Sequence, residues 1–123
     1  MRILLVDDDR TVLSTLKTIL ESDRYDVTAL RITDEVSVSV ILGKVDSEQP
    51  DIAIIGIAMP QMDGSELARA IRELSPSTWI VMNSPMRTIG SDMVARGEAD
   101  AFVSRLFEMV DLKRALSISK NRT

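Results

Sequence analysis

This 123-residue chain contains neither cysteine nor histidine. Without cysteine there is no disulfide framework and no thiolate metal site. Without histidine there is no imidazole acid–base chemistry, no histidine-ligated metal and no phosphohistidine carrier role. Aromatic residues are also scarce: Tyr25, Trp79, Phe102 and Phe107 are the only four, so the core has to be aliphatic. No apolar run approaches the roughly 20 residues that span a bilayer. The N-terminus shows no basic stretch followed by an apolar segment and a small-residue cleavage site, so no secretory signal is read there and a cytoplasmic protein is expected. Positive charge is in deficit, with 15 basic against 19 acidic residues and a net charge of −4. Nucleic-acid binding relies on clustered Lys and Arg, so direct contact with DNA or RNA is not expected.

What is present is an ordinary globular composition, 45% apolar, at a length that suits one compact domain. Arg2 to Val6 is a short apolar run that stops at acids, the pattern of a strand buried on both faces. Asp8 or Asp9 caps the helix that follows, whose Val12, Leu13, Leu16, Ile19 and Leu20 share one face. Tyr25 to Leu30 is a second strand. Over Asp34 to about Gly43, Val36, Val38 and Val40 alternate like a strand, while Val36, Val40 and Ile41 fit a helical stripe; the rhythm of the chain favours helix. Asp51 to Ile57 is a third buried strand, ending in a turn punctuated by Pro60 and Gly64. Ser65 to Leu74 is a helix, Thr78 to Asn83 a fourth strand, Thr88 to about Arg96 a helix, Ala101 to Ser104 a fifth strand and Phe107 to Ser119 a closing helix. Strands alternating with helices at this spacing predict βαβ units, right-handed crossovers and a parallel sheet. The tail Lys120 to Thr123 reads equally as a frayed end or as the start of a linker.

Open parallel sheets bind ligands beyond the carboxyl ends of their strands. Asp7, Asp8 and Asp9 follow the first strand, Gly56 closes the third, Ser84 follows the fourth and Arg105 the fifth. The predicted topology therefore gathers them at one edge. Taken alone, three acids before a helix also suit a simple N-terminal cap.

Two segments, Leu4-Leu5-Val6-Asp7-Asp8-Asp9 and Met59-Pro60-Gln61-Met62-Asp63-Gly64, together with the five-fold βα order, resemble the receiver domain of two-component response regulators. The resemblance covers nearly the whole chain. It implies a flavodoxin-like (βα)5 three-layer α/β sandwich with a five-stranded parallel sheet in the order 2-1-3-4-5. It also implies one receiver-like domain over residues 1–123, either stand-alone or part of a longer regulator. In this family the residue matching Gly56 is the aspartate that receives the phosphoryl group. Asp7 and Asp8 match the acid pair of a magnesium site, Asp8 as direct ligand and Asp7 through water, with the Ala58 carbonyl as a third oxygen. Phe102 matches the aromatic that moves with the switch hydroxyl. Ser84 has the usual spacing for that hydroxyl, and Asn83 is the competing alignment. Arg105 stands in place of the lysine that pairs with the phosphoryl group, and Leu106 replaces the proline after it.

Glycine has no side-chain oxygen, so the resemblance points to a pseudo-receiver that is not phosphorylated at the usual position. No cofactor is required on this reading. Magnesium affinity should fall at least about tenfold, or about 1.4 kcal/mol, with the loss of one carboxylate. An internal pair between Arg105 and an aspartate is expected to take the place of the metal. Output would then come from a protein partner or effector domain, or from a homodimer through the fourth helix, fifth strand and fifth helix, including Met93, Phe102, Leu106 and Val110. One alternative keeps phosphorelay through a nonstandard acceptor, Asp7 or Asp8. Asp63 more readily shapes its turn, and Asp51 opens its strand at the far end. A second alternative reads Asp7-Asp8-Asp9-Arg10-Thr11 as the Asp-x-Asp-x-Thr signature of haloacid dehalogenase-type phosphatases. Asp7 would then be nucleophile and Asp9 general acid, with Asp92 or Asp100 supplying the late acid.

Overall fold

The computed structural model describes residues 1–33, 37–56, 58–59, 62–83 and 87–103. Its main sheet starts from the predicted apolar runs. β1 (Arg2–Asp7), β2 (Asp26–Arg31), β3 (Ile52–Gly56), β6 (Trp79–Asn83) and β7 (Ala101–Val103) all pair in parallel, in the order β2-β1-β3-β6-β7. This is the expected 2-1-3-4-5 order of a flavodoxin-like fold, because β6 and β7 are its fourth and fifth strands. Between β3 and β6 in sequence lies a two-stranded antiparallel ladder of β4 (Ala58–Met59) and β5 (Met62–Asp63).

Successive strand residues face opposite sides of the sheet, so each strand serves two cores. Leu4, Val6, Ala53, Ile55, Ile80 and Met82 pack on one face with Ile41 and Val45 of α2 (Val38–Glu48), Leu67 and Ile71 of α3 (Gly64–Leu74) and Met93 of α4 (Arg87–Ala95). Ile3, Leu5, Ile52, Ile54 and Val81 pack on the other face with Leu13, Leu16 and Leu20 of α1 (Arg10–Ser22). This gives the expected three layers. Among the described residues no helix is long and apolar enough to cross a membrane.

The caps explain where the helices begin. Asp9 takes the N-cap of α1, its carboxylate accepting from the N–H groups of Thr11 at 2.8 Å and Val12 at 3.2 Å. That settles the choice between Asp8 and Asp9. The second helix corrects the sequence reading: it runs Val38–Glu48, not from Asp34 to Gly43. Ser37 caps it and accepts from Val40 N, and Ile41 and Val45 form the buried stripe. Val38 and Val40 are exposed on this helix, so their alternation marks no strand face. The helix ends at Gln49 in the left-handed region, just before Pro50.

Gly43 is therefore a mid-helix residue on the solvent side, with nothing within 4 Å of the position a Cβ would take. Gly43→Ala is expected to stabilise the protein by about 0.5–1 kcal/mol through reduced backbone entropy in the unfolded chain, read as a higher urea midpoint at unchanged m-value.

The edge at the amino ends of the strands is tied by specific polar contacts. Asp51 accepts from Arg2 N at 2.8 Å. The buried Thr78 hydroxyl donates to Pro50 O at 2.9 Å. Asp100 accepts from Ile80 N at 2.8 Å and pairs with Arg72 at 2.9 Å.

Candidate functional site

At the opposite edge, the register sets the neighbours. Asp7 ends β1 beside Arg31, the last residue of β2. On the other flank Val6 is level with Ile55, which brings Asp7 against Gly56 at the tip of β3. Gly56 in turn is level with Asn83, and Asn83 with Val103. The topology thus brings Asp7, Asp8 and Gly56 together at one edge, with Asn83, the competing alignment to Ser84, level with Gly56. Phe102 lies one residue short of that edge, paired with Met82, and packs partly buried against the core shared with α2, α3 and α4. Ser84, Arg105, Leu106 and the predicted helix Phe107 to Ser119, with Val110, lie outside the described residues, as does the expected pairing of Arg105 with an aspartate.

Asp7 is held through one oxygen of its carboxylate. Oδ1 accepts from the N–H groups of Asp8 at 2.8 Å and Asp9 at 3.1 Å. Oδ2 lies 2.8 Å from where a Cβ on residue 56 would stand. Gly56 itself is buried. The carboxylate of Asp7 therefore rests in space that any larger residue at position 56 would need. This coupling between the two positions needs spatial knowledge, and nothing in the one-dimensional pattern signals it.

Burial pushes the Asp7 carboxyl up to about 6, and the neighbouring Asp8 adds to the rise, against the opposing effect of the two N–H donors. A partly buried carboxyl beside a second acid is expected to behave this way. Asp63, by contrast, is held below the usual carboxylate range by the hydroxyl and N–H of Ser65, at 2.7 and 2.8 Å. It is the N-cap of α3, in keeping with the turn-shaping role read from the sequence.

Of the donors expected from the sequence, Asp7 and Asp8 follow one another at the end of β1, and Ala58 opens β4 opposite Asp63. Among the described residues no three Asp, Glu, His or Cys side chains group as a metal cage. Magnesium prefers six oxygens and retains several waters, so this set fits only a weakly held ion.

Arg31 is a site residue that the sequence reading missed. Its Nε donates to the Asp8 carbonyl at 3.3 Å, placing a fixed cation beside the acid loop. Only the parallel register reveals it, because Arg31 is 23 positions from Asp8 and sits in no motif.

The phosphatase alternative is not favoured. Asp9 is spent on capping α1, and Asp100 is tied to Arg72 and Ile80 N at the other end of the strands.

Comparison with known proteins agrees with the geometry. The family model for the response regulator receiver domain matches residues 3–117. The response regulator MprA of Mycobacterium avium (strain 104) is 30% identical over 125 residues, covering 100% of this chain and 52% of that protein. The chemotaxis protein CheY of Listeria monocytogenes is 30% identical over 118 residues, covering 94% of this chain and 95% of that protein. The solved structure of the response regulator protein TrrA from Thermotoga maritima, in complex with Mg2+–BeF, superposes with a TM-score of 0.82 at 27% identity, covering 96% of this chain and 97% of that one. The chain thus spans about half the length of relatives such as MprA and nearly all of a CheY.

Proposed function

The chain belongs to the response regulator receiver domain family, and from that premise we propose that it is a pseudo-receiver, a two-component signalling module that is not phosphorylated at the usual position and works by binding other proteins. One observation carries the reading. The residue at the tip of β3 is a buried glycine, and the Asp7 carboxylate lies in the space where an acceptor side chain would begin. An acyl phosphate needs a carboxyl group at that point, and residue 56 has none.

Residues 1–123 act on this reading as one receiver-like domain. Asp7, Asp8 and the Ala58 carbonyl would hold magnesium weakly, and the ion would supply charge neutralisation between the acids. Signal output does not require it. The partner is a protein, an effector domain or a second copy of the chain, docking at a face that includes α4 and β7. Contact with nucleic acid, where a longer protein makes it, falls to another domain.

Incubation with acetyl phosphate followed by intact-mass measurement tests the reading. The expected result is no stable gain of a phosphoryl group by the parent protein. Such a gain would overturn it. A second reading rests on the position of Asp7 Oδ2 beside Gly56: Asp7 would itself be a nonstandard acceptor. In that case the mass gain appears in the parent and vanishes in Asp7→Asn.

A further inference from the structure

We propose that Arg31 serves as a built-in cation for the acid loop, holding Asp8 in place and opposing the entry of a divalent ion. Two independent features support this. The backbone register ends β2 at Arg31 directly alongside Asp7, so the base of the side chain is fixed at the acid edge whatever its rotamer. The guanidinium Nε then donates to the carbonyl of Asp8, the middle residue of the Asp7-Asp8-Asp9 loop. Arginine suits the task because it carries its charge at any working pH and has further N–H groups to offer beyond the one spent on the carbonyl.

The loop is otherwise braced from within. Asp7 Oδ1 takes the N–H groups of Asp8 and Asp9, and Asp9 caps α1. These bonds and the Arg31 bond together fix the Asp7 carboxylate and the Asp8 main chain without any ion. The bracing also has a cost for metal binding, since an incoming ion has to share the site with a positive charge. A unit charge opposing a divalent ion at side-chain range in a partly solvated site shifts affinity by about tenfold.

The proposal rests on Asp7 and Asp8 being the remnant of a cation site. Its test measures no phosphoryl transfer, so it stands or falls apart from the mass experiment. Magnesium binding is measured by calorimetry on the parent, Arg31→Gln and Arg31→Lys, and amide exchange at Asp8 and Asp9 is followed in EDTA. Arg31→Gln is expected to bind magnesium about tenfold more tightly and to exchange faster at both amides. Arg31→Lys keeps the charge and loses the Nε bond, so it should show parent-like affinity with faster exchange. Equal magnesium affinity in the parent and Arg31→Gln overturns the proposal, and so does the absence of binding in both. A merely structural arginine would change the exchange and leave the affinity alone.

Discussion

Gly56→Asp is expected to weaken the protein in EDTA and to make it the better magnesium binder. A Cβ at position 56 falls 2.8 Å from Asp7 Oδ2 and 3.1 Å from its Cγ, closer than ordinary contact allows. Asp7 would have to swing away, straining or breaking the two bonds that Oδ1 accepts from Asp8 N and Asp9 N. A third carboxylate would then join two that already repel each other. The combined loss is about 1–3 kcal/mol without metal, which for a domain of this size lowers Tm by roughly 5–10 °C. Magnesium reverses the balance, because three carboxylates give the ion a fuller oxygen set, and affinity should rise at least about tenfold over the parent. Thermal melts in EDTA and in millimolar magnesium, with Gly56→Ala alongside, separate crowding from charge. The alanine variant meets the same Asp7 atoms but adds no carboxylate, so its melt should not respond to magnesium more than the parent's does. An unchanged melt for Gly56→Asp in both buffers would mean that Asp7 does not occupy the position described.

The second large effect is a pH dependence that Asp7→Asn should abolish. The Asp7 carboxyl is raised from 3.8 to about 6, chiefly by burial and then by Asp8. The folded state therefore binds this proton more tightly than the unfolded state does. Stability from this group is complete below about pH 4 and is lost as pH rises through 6. Asparagine keeps an oxygen for the N–H groups of Asp8 and Asp9 but cannot ionise. In EDTA, the variant should match the parent near pH 4 and exceed it at pH 7 by on the order of 1–2 kcal/mol, after allowance for the part of the carboxyl that solvent still screens. Urea unfolding across that range checks it. Parallel curves for the two proteins would show that Asp7 ionises at no cost to the fold.

Much of the fold was legible because the strands are continuous aliphatic runs stopped by acids or turn residues. Arg2 to Val6, Asp51 to Ile57 and Thr78 to Asn83 were each placed to within a residue or so of β1, β3 and β6. The second helix was misplaced for a physical reason. Valines at 36, 38 and 40 satisfy a period of two and nearly satisfy one of 3.6, and Gly43 resembles a stop signal. The features that fix the helix are quieter: the Ser37 cap, the Ile41 and Val45 stripe, and Gln49 with Pro50 at its end.

At the site, motif spacing found Asp7, Asp8 and Gly56, because these residues stand at strand ends that any parallel sheet brings together. It could not find Arg31, whose role depends on which strands are neighbours and in what register. Nor could it show that Asp7 leans into the hollow at Gly56, because a missing side chain leaves no trace in a sequence of what fills its place.

The far edge of the sheet has a bearing on how such a chain can change. Arg2 with Asp51, Thr78 with Pro50, and Asp100 with Arg72 and Ile80 brace the scaffold, and none of these groups takes part in the acid loop. The frame is thus braced at one edge by residues that take no part in the acid loop at the other. Drift or redesign can rewrite the loop ends one residue at a time while the frame keeps its shape, which makes this chain a practical host for grafting a different recognition surface.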